Sequence, residues 1–476
     1  MSFYVRFLLA FLLLQTCFLG AECQVKDSIP QKKFVVGDIL PQGNHITRAS
    51  IIFRELTFKV GDTIIASQWP VVAERSRQNL MNSTLFVRVE LDTIRLASGE
   101  LDVLIVLQEK WYLWPAPIFK IEERNFNTWY VQDDHRLDKA DYGAYLTYYN
   151  MFGLKQALKL QVQFGYTTQF AAGYVIPYLT KKQAGGLAFS FSYAKNREIP
   201  YTSSNNELIY LDDPGQVLRQ TYTGTIDYTY RQGLYNTNVL EADIYSCAVN
   251  DTLLKLTTDY LPFNVNNATF FEAKYFFKRD LRDDAAYPLT GYYFDFSMNE
   301  YGLGMKIDDK AFNMFYVQTS FHKYWNIANN FYYSAEVEGK VSQTGTQPYY
   351  LQRGLGYLND YVRGYELYVI DGNDFALVKN EIRFRVLNVA LQPLPVIGMR
   401  QFNSPYYQLY ITAFADWGYV GAANPNVTNN TLANTPLWGN GFGLDFVTYY
   451  NLVLRLEYSF NRLGQSGLFL HFVAPM

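Results

Sequence analysis

From about residue 115 onward, the sequence alternates apolar and polar residues in segments of about ten residues, which turn residues separate. Near the C-terminus, Leu454 and Leu456 alternate with Arg455 and Glu457, and residues 159–166 and 271–277 have the same period. Successive side chains of a strand point to opposite faces, so each segment is predicted to be a strand with one apolar and one polar face. A soluble sandwich and a membrane barrel share this period, and alternation alone does not separate them.

The N-terminus is typical of an export signal. Arg6 precedes an apolar run at residues 7–14, and Ala21-Glu22-Cys23 is an approximate small-x-small cleavage site. We expect a signal peptide at residues 1–23 and a linker at residues 24–33. Acylation of Cys17 or Cys23 is the alternative, although the flanking residues fit it poorly. If both leave with the signal, Cys247 is the one cysteine left, and no disulfide framework can form.

An exported chain can enter a membrane as a closed barrel, in which the strands satisfy one another's backbone groups. No segment after the signal has about 18 consecutive apolar residues, so no transmembrane helix is predicted. Strand candidates begin near residues 115, 141, 155, 170, 184, 217, 236, 267, 289, 313, 329, 375, 405, 440, 452 and 466. Sixteen is an even number, as in single-chain bacterial barrels, and 41 Tyr and 35 Phe suit aromatic girdles. We predict a mainly β fold, a 16-stranded antiparallel transmembrane β-barrel at residues 115–476 in the outer membrane of a Gram-negative bacterium.

Residues 34–110 have a different pattern, which predicts a small α+β domain. Strand candidates at residues 34–40, 85–91 and 101–108 flank two helices, one at residues 49–56 and one that begins near Pro70. Thr47 is the expected N-cap of the first helix. The order is strand, helix, helix, strand, strand.

Val362-Arg363-Gly364-Tyr365 places one arginine beside a glycine between the eleventh and twelfth strand candidates. A guanidinium keeps its charge, so an enclosed arginine requires a carboxylate partner. Taken alone, four residues are equally consistent with an exposed turn.

Together these residues resemble the BamA/TamA-type outer-membrane protein assembly family, also called the bacterial surface antigen family. Val362-Arg363-Gly364-Tyr365 is similar to that family's signature in its sixth extracellular loop. Phe414-Ala415-Asp416-Trp417-Gly418 is similar to its second signature, Phe-x-Asp-x-Gly, and falls on the thirteenth strand candidate. The N-terminal module resembles a POTRA domain, and there is room for one, whereas the family's main insertase has five and two-partner secretion transporters have two.

The resemblance implies that loop six, at about residues 340–374, folds into the lumen and that Arg363 contacts Asp416 there. An unpaired guanidinium in a partly dry lumen is costly, which favours such a pairing. Glu381 faces the lumen in the predicted register and is a second candidate partner.

Proline and glycine occur at both edges of the predicted barrel. Pro115 and Pro117 lie in the first strand candidate. In or beside the last strand candidate, the glycines and prolines are Gly464, Gly467 and Pro475. Proline cannot donate to a ladder, so few hydrogen bonds are expected to close this seam. An opened edge is a template for an incoming strand.

We therefore expect a protein that inserts or translocates unfolded outer-membrane or secreted clients through this seam, with outer-membrane lipids and accessory assembly proteins as further partners. A passive channel or uptake receptor and a transporter for one dedicated partner are the alternatives. No enzyme, cofactor or metal site is expected, because the four histidines lack the spacing of a metal site or a catalytic triad. The net charge of −3 argues against a nucleic-acid partner.

Overall fold

The computed structural model describes residues 32–95, 100–121, 140–307, 309–343, 347–357, 360–390, 406–422, 430–448 and 452–473. These residues form a small N-terminal unit with two helices, followed by one sixteen-stranded antiparallel sheet. The predicted mainly β fold with sixteen antiparallel strands is confirmed. Within the described ranges, no helix is both long and apolar enough to cross a membrane.

The N-terminal unit is a four-stranded sheet packed against two helices. Its elements are β1 (Lys33–Gln42), α1 (Ala49–Arg54), β2 (Thr63–Ile65), α2 (Trp69–Asn82), β3 (Phe86–Arg95) and β4 (Leu101–Glu109). The strand order is β2-β1-β4-β3, with β1 parallel to β4. Ile52 of α1, Leu80 of α2 and Ile105 of β4 are fully buried in its core. Strand β2 was not predicted, because three residues are too few to show a period.

Thr47 has a different role from the predicted helix cap. Arg48 occupies the N-cap position of α1, and it makes no side-chain capping bond. The Thr47 hydroxyl instead donates to Glu109 Oε1 at 2.5 Å and accepts a hydrogen bond from Asn150 Nδ2 at 2.8 Å. The prediction of a cap at Thr47 was wrong, because a carboxylate on β4 competes for the hydroxyl.

The large sheet consists of strands that follow one another along the chain, each paired with its neighbours. Its strands are β5 (Leu113–Ile121), β6 (Ala140–Met151), β7 (Gln156–Gly165), β8 (Thr167–Ile176), β9 (Gly185–Asn196), β12 (Arg219–Gln232), β13 (Asn236–Val249), β14 (Asn267–Asp280), β15 (Gly291–Tyr301), β18 (Met314–Ala328), β19 (Phe331–Ser342), β20 (Asp374–Ala390), β21 (Tyr406–Gly421), β22 (Pro436–Thr448), β23 (Leu452–Asn461) and β24 (Ser466–Val473). The connections between them contain the hairpin of β10 (Glu198–Ser204) and β11 (Glu207–Asp212), the helix α3 (Asp251–Leu256), a 3₁₀ turn (Pro262–Asn264) and the hairpin of β16 (Lys306–Ile307) and β17 (Lys310–Ala311).

The two faces of the sheet differ as the alternation predicts. On β23, Leu456 and Tyr458 are exposed on the outer face, whereas Glu457 and Ser459 are buried on the inner face. The β10–β11 hairpin lies in the connection between β9 and β12 and contacts the distant β21–β22 connection, where Asn206 donates its backbone N–H to Asn430 Oδ1 at 2.6 Å. The sheet therefore curls around an interior lined by polar side chains.

The N-terminal unit is docked on one end of the barrel, here called the domain end; the opposite end is called the distal end. Arg231 Nη2 donates to Glu55 Oε2 at 2.7 Å, and Arg54 Nη2 donates to the Gly233 carbonyl at 2.6 Å. Burial of Glu55 would raise its pKa, but the hydrogen bond and positive charge of Arg231 outweigh burial and hold the pKa below its usual value. Glu55 is thus a charged contact between the two parts.

Candidate functional site

Loop six, the connection of residues 343–373 between β19 and β20, enters the barrel from the distal end. Its turn at residues 362–365 is closed by a hydrogen bond from the Tyr365 N–H to the Val362 carbonyl at 3.0 Å. Gly364 has a φ of +91°, a conformation that favours glycine. Val362, Arg363 and Tyr365 are all buried. The motif is therefore an enclosed turn and not the exposed one considered above.

Every N–H donor of the Arg363 guanidinium has an acceptor. Nε and Nη2 form a fork with Asp416, at 2.8 Å and 2.7 Å. Nη1 donates to Glu381 at 2.6 Å and to Glu457 at 3.3 Å. The second hydrogen of Nη2 is directed to the Asn380 carbonyl at 3.4 Å. The structure thus brings both predicted carboxylates, Asp416 and Glu381, to Arg363, and adds Glu457.

Alternate residues of β21 each contact this turn. The Phe414 ring lies beneath the guanidinium, 3.8 Å from its carbon to the ring centroid. Asp416 supplies the fork and also accepts the Arg363 backbone N–H at 3.2 Å. At Gly418, a Cβ would overlap Val362. Phe414 thus stacks on the guanidinium, Asp416 pairs with it, and Gly418 leaves room for the turn, which explains why these residue types occupy every second position of the strand.

Strand β22 supplies a groove for the turn. A Cβ at Gly439 would overlap the carbonyl oxygen of Arg363, and one at Gly441 would lie 2.7 Å from the Phe414 ring. Both glycines are on the inner face. Strand β22 begins at Pro436, earlier than the predicted start near residue 440, so both glycines lie within the strand. Neither Gly439 nor Gly441 was among the predicted site residues; their spacing of two on one strand was the signal.

The carboxylates around Arg363 belong to a larger charged cluster, here called the loop-six cluster. Arg383 pairs with Glu381, and Arg455 lies 3.5 Å from Asp445. Tyr287, in the turn before β15, donates its hydroxyl to Asp445 at 2.8 Å. Charged contacts connect most members to one another, and the Arg455–Asp445 pair adjoins the rest through Tyr287, whose ring lies 4.7 Å from the Arg383 guanidinium carbon. The members of the cluster are Arg363, Glu366, Glu381, Arg383, Asp416, Asp445, Arg455, Glu457 and His471.

Glu366, Glu457 and His471 were not among the predicted site residues. Glu366 accepts the Gly364 N–H at 2.7 Å and lies beside His471 of the last strand. Burial, together with the charge of Glu457, raises the pKa of Glu366 to about 8. Only the folded loop brings these residues together, so period and spacing could not reveal them.

The predicted seam residues lie on or beside β5 and β24. Pro115 and Pro117 lie within β5, and Gly467 lies within β24. Gly464, with a φ of +77°, forms the turn before β24. Pro475 lies outside the described residues. In the described part of the chain, β5 pairs with β6 and β24 pairs with β23, and no ladder joins β5 to β24.

Neither a family model nor a curated protein matches the chain. Its structure is similar to that of BamA from Haemophilus ducreyi lacking POTRA domains 1–3, with a TM-score of 0.51 and 15% identity over 92% of this chain and 84% of that chain. It is also similar to CdiB from Acinetobacter baumannii, with a TM-score of 0.48 and 12% identity over 92% of this chain and 73% of that one. For CdiB from Escherichia coli, the TM-score is 0.44, with 12% identity over 96% and 92% of the two chains. The likeness to BamA supports the sixteen-stranded barrel fold.

Proposed function

We propose that this protein is an outer-membrane barrel of the BamA/TamA type that inserts or exports client proteins through the seam between β5 and β24. The N-terminal unit is then a periplasmic, POTRA-type domain, and the distal end faces the outside of the cell. The observation that carries the proposal is the absence of a ladder between β5 and β24 within the described residues.

The two seam strands have the properties of an edge that can open. Both are short, Leu113–Ile121 and Ser466–Val473. Pro115 and Pro117 have no N–H to donate, and proline is confined to edge strands and bulges in sheets. Phe119 of β5 is 72% exposed and Phe472 of β24 is 69% exposed, so neither ring is covered by a neighbouring strand. A client strand could pair with either edge.

The lumen of this barrel is partly filled, which supports insertion or export over a passive channel. The turn at residues 362–365 is held on the inner face of β20–β23 by Arg363. The turn before β15 also reaches the inner wall, through Tyr287 and Asp445. A wide, steady aqueous path would require these buried contacts to break.

Within the described residues, β3 is an outer strand of the N-terminal sheet, which offers an edge to an incoming chain. Strand β3 is the outer strand of its sheet, with ten residues, whereas β2, at the other edge, has three. Residues 92–95 of β3 are exposed. An extended client segment could add to β3 through main-chain hydrogen bonds, which depend little on client sequence.

A disulfide across the seam tests this function. Cysteine pairs placed between residues 114–118 and 468–472 should cross-link β5 to β24 and stop client assembly, and reduction with dithiothreitol should restore it. Cys247 is buried and does not compete for these cysteines.

The matched control is a pair at Tyr458 and Leu468, which face each other on β23 and β24 away from the seam. The readout is the abundance of other outer-membrane proteins in cells that depend on the variant. Loss of one secreted protein alone would indicate a dedicated transporter. A fully cross-linked seam with an unchanged outer-membrane proteome and unchanged secretion would exclude the proposed function.

A further inference from the structure

Three potential metal ligands meet where loop six touches the last two strands. Glu366 comes from loop six, Glu457 from β23 and His471 from β24, and their ligand atoms all lie within 4.8 Å of one another. His471 Nε2 lies 3.2 Å from Glu457 Oε2 and 3.9 Å from Glu366 Oε1. In a tetrahedral zinc site with bonds of about 2.0–2.1 Å, ligand atoms are about 3.3 Å apart. The trio is therefore close to a ligand geometry before any side chain moves.

The imidazole of His471 is oriented for ligation. Its Nδ1 lies 3.3 Å from the Tyr361 hydroxyl, and the two rings stack with centroids 5.7 Å apart. Its Nε2 is buried and faces the two carboxylates, with Glu457 Oε2 at 3.2 Å. A metal-binding histidine commonly uses one ring nitrogen for the ion and the other for a second group that fixes the ring.

The charge of the loop-six cluster favours a cation. Its ion-paired members include five carboxylates, those of Glu366, Glu381, Asp416, Asp445 and Glu457. Three guanidinium groups, those of Arg363, Arg383 and Arg455, face them. With a neutral imidazole and an ionised Glu366, the five carboxylates and three guanidinium groups leave two negative charges in a buried place, where uncompensated charge is costly. One divalent cation would balance them.

We propose that Glu366, Glu457 and His471 bind a divalent first-row transition cation, for which Zn²⁺ is the probe. Imidazole with carboxylates suits such ions, whereas Mg²⁺ and Ca²⁺ prefer oxygen ligands alone. Because each ligand comes from a different segment, the ion ties loop six to β23 and to the seam strand β24. The site stands on these contacts and is independent of whether the barrel inserts clients.

A matched control exists on another strand of the sheet. His322 of β18 also lies between two glutamates, but Glu336 is nearest to its Nδ1, at 4.0 Å, and Glu338 to its Nε2, at 3.4 Å. One ion cannot use both ring nitrogens of one imidazole. His322 lies within β18, which makes it a lumen histidine comparable to His471.

The test is calorimetric titration of the full chain in detergent with Zn²⁺, after removal of metal by a chelator. We expect one site per wild-type chain. Affinity should be lost in Glu366→Gln and His471→Gln, should be weaker by about tenfold or more in Tyr361→Phe, and should be unchanged in His322→Gln. Heat-modifiable mobility in a denaturing gel checks that each barrel is folded.

A second measurement does not depend on variants of barrel strands. Zn²⁺ should slow protease cleavage of loop six in the wild-type chain and have no effect in Glu366→Gln, whose changed residue lies in the loop. Absence of a stoichiometric site in the wild-type chain would overturn the proposal. Equal Zn²⁺ affinity in wild type and Glu366→Gln would overturn it as well.

Discussion

Phe414 and Asp416 hold the guanidinium of Arg363 from two directions. The Phe414 ring lies against its flat face at 3.8 Å, and Asp416 forks its edge at 2.7 Å and 2.8 Å. Adjacent inward positions on one strand thus supply a stacking partner and a charged partner. This arrangement requires arginine in particular, because lysine has neither the planar face nor the fork.

The first prediction concerns Arg363→Ala. The change leaves the Asp416, Glu381 and Glu457 carboxylates facing one another without their shared cation, and removing one partner of a buried ion pair costs about 3–5 kcal/mol. The turn at residues 362–365 should leave its groove while the barrel still forms. Limited proteolysis of the purified chain should show faster cleavage within loop six, and Arg363→Lys should be intermediate.

Arg353→Ala is the control for this change. Arg353 lies on the same loop, but its guanidinium donates to the backbone carbonyls of Gln352 and Tyr349 and stacks on Tyr357. Among the described residues Arg353 forms no salt bridge, so its removal leaves no ion-paired carboxylate without a cation there, and loop six should stay protected. Equal cleavage rates in the Arg363 and Arg353 variants would contradict a specific role for the ion-pair network.

Gly439→Ala should also displace loop six, without altering any charge. Its new Cβ would overlap the Arg363 carbonyl oxygen, which belongs to the backbone and cannot rotate away. The control is Gly173→Ala on β8, where the nearest atom to a Cβ is 3.5 Å away, an ordinary contact. We expect faster loop-six proteolysis in Gly439→Ala alone. A protected loop in that variant would mean that β22 does not seat the turn.

The period and the number of strand candidates were sufficient to predict a sheet of sixteen antiparallel strands. Alternation on β23 predicted which side chains face outward, because a strand with one polar and one apolar face can place only the polar face toward a polar interior. The last strand candidate was expected to begin near residue 466, and β24 begins at Ser466. The contact of Arg363 with Asp416 was expected from two motifs in the right order, and not from physical reasoning alone.

Features that depend on segments far apart in sequence were missed. His471 meets Glu366 only after loop six folds inward, and Gly439 has its role only because the Arg363 backbone lies against it. Thr47 suited a helix cap locally, but Glu109 of β4 competes for its hydroxyl. In each case, tertiary contact outweighs a local preference that the sequence shows correctly.

Acid should release the N-terminal unit from the barrel through Glu55. Arg231 lowers the pKa of Glu55 from its ordinary 4.5, so the contact stabilises the docked form above that pH. Its contribution is lost as the pH falls below 4.5 through the lowered pKa, because protonation removes the charge that Arg231 binds. Double electron–electron resonance measures the distribution of distances between spin labels at Val71 and Leu463, and this distribution should broaden on acidification.

Glu55→Gln should show the broadened distribution already at neutral pH, with less change on acidification. Glu74→Gln is its control, because Glu74 pairs with Arg77 on the same unit at 2.7 Å, and both side chains are substantially exposed. Exposed pairs contribute about 0–1 kcal/mol. A Glu55→Gln variant that keeps the wild-type distances at neutral pH would show that the other contacts are sufficient for docking.

Tyr287→Phe tests whether the turn before β15 strengthens the inner wall. The Tyr287 hydroxyl donates to Asp445 at 2.8 Å, and the Tyr287 ring lies 4.7 Å from the Arg383 guanidinium carbon. Phenylalanine keeps the ring and removes one hydrogen bond to a buried carboxylate, which contributes about 1.5–3 kcal/mol. We expect the barrel to lose its folded gel mobility at a lower temperature.

Tyr228→Phe, on the exposed outer face, should have no such effect. If both variants unfold at the wild-type temperature, the Arg455–Asp445 contact at 3.5 Å is enough to compensate Asp445, and the turn is held by its ring alone.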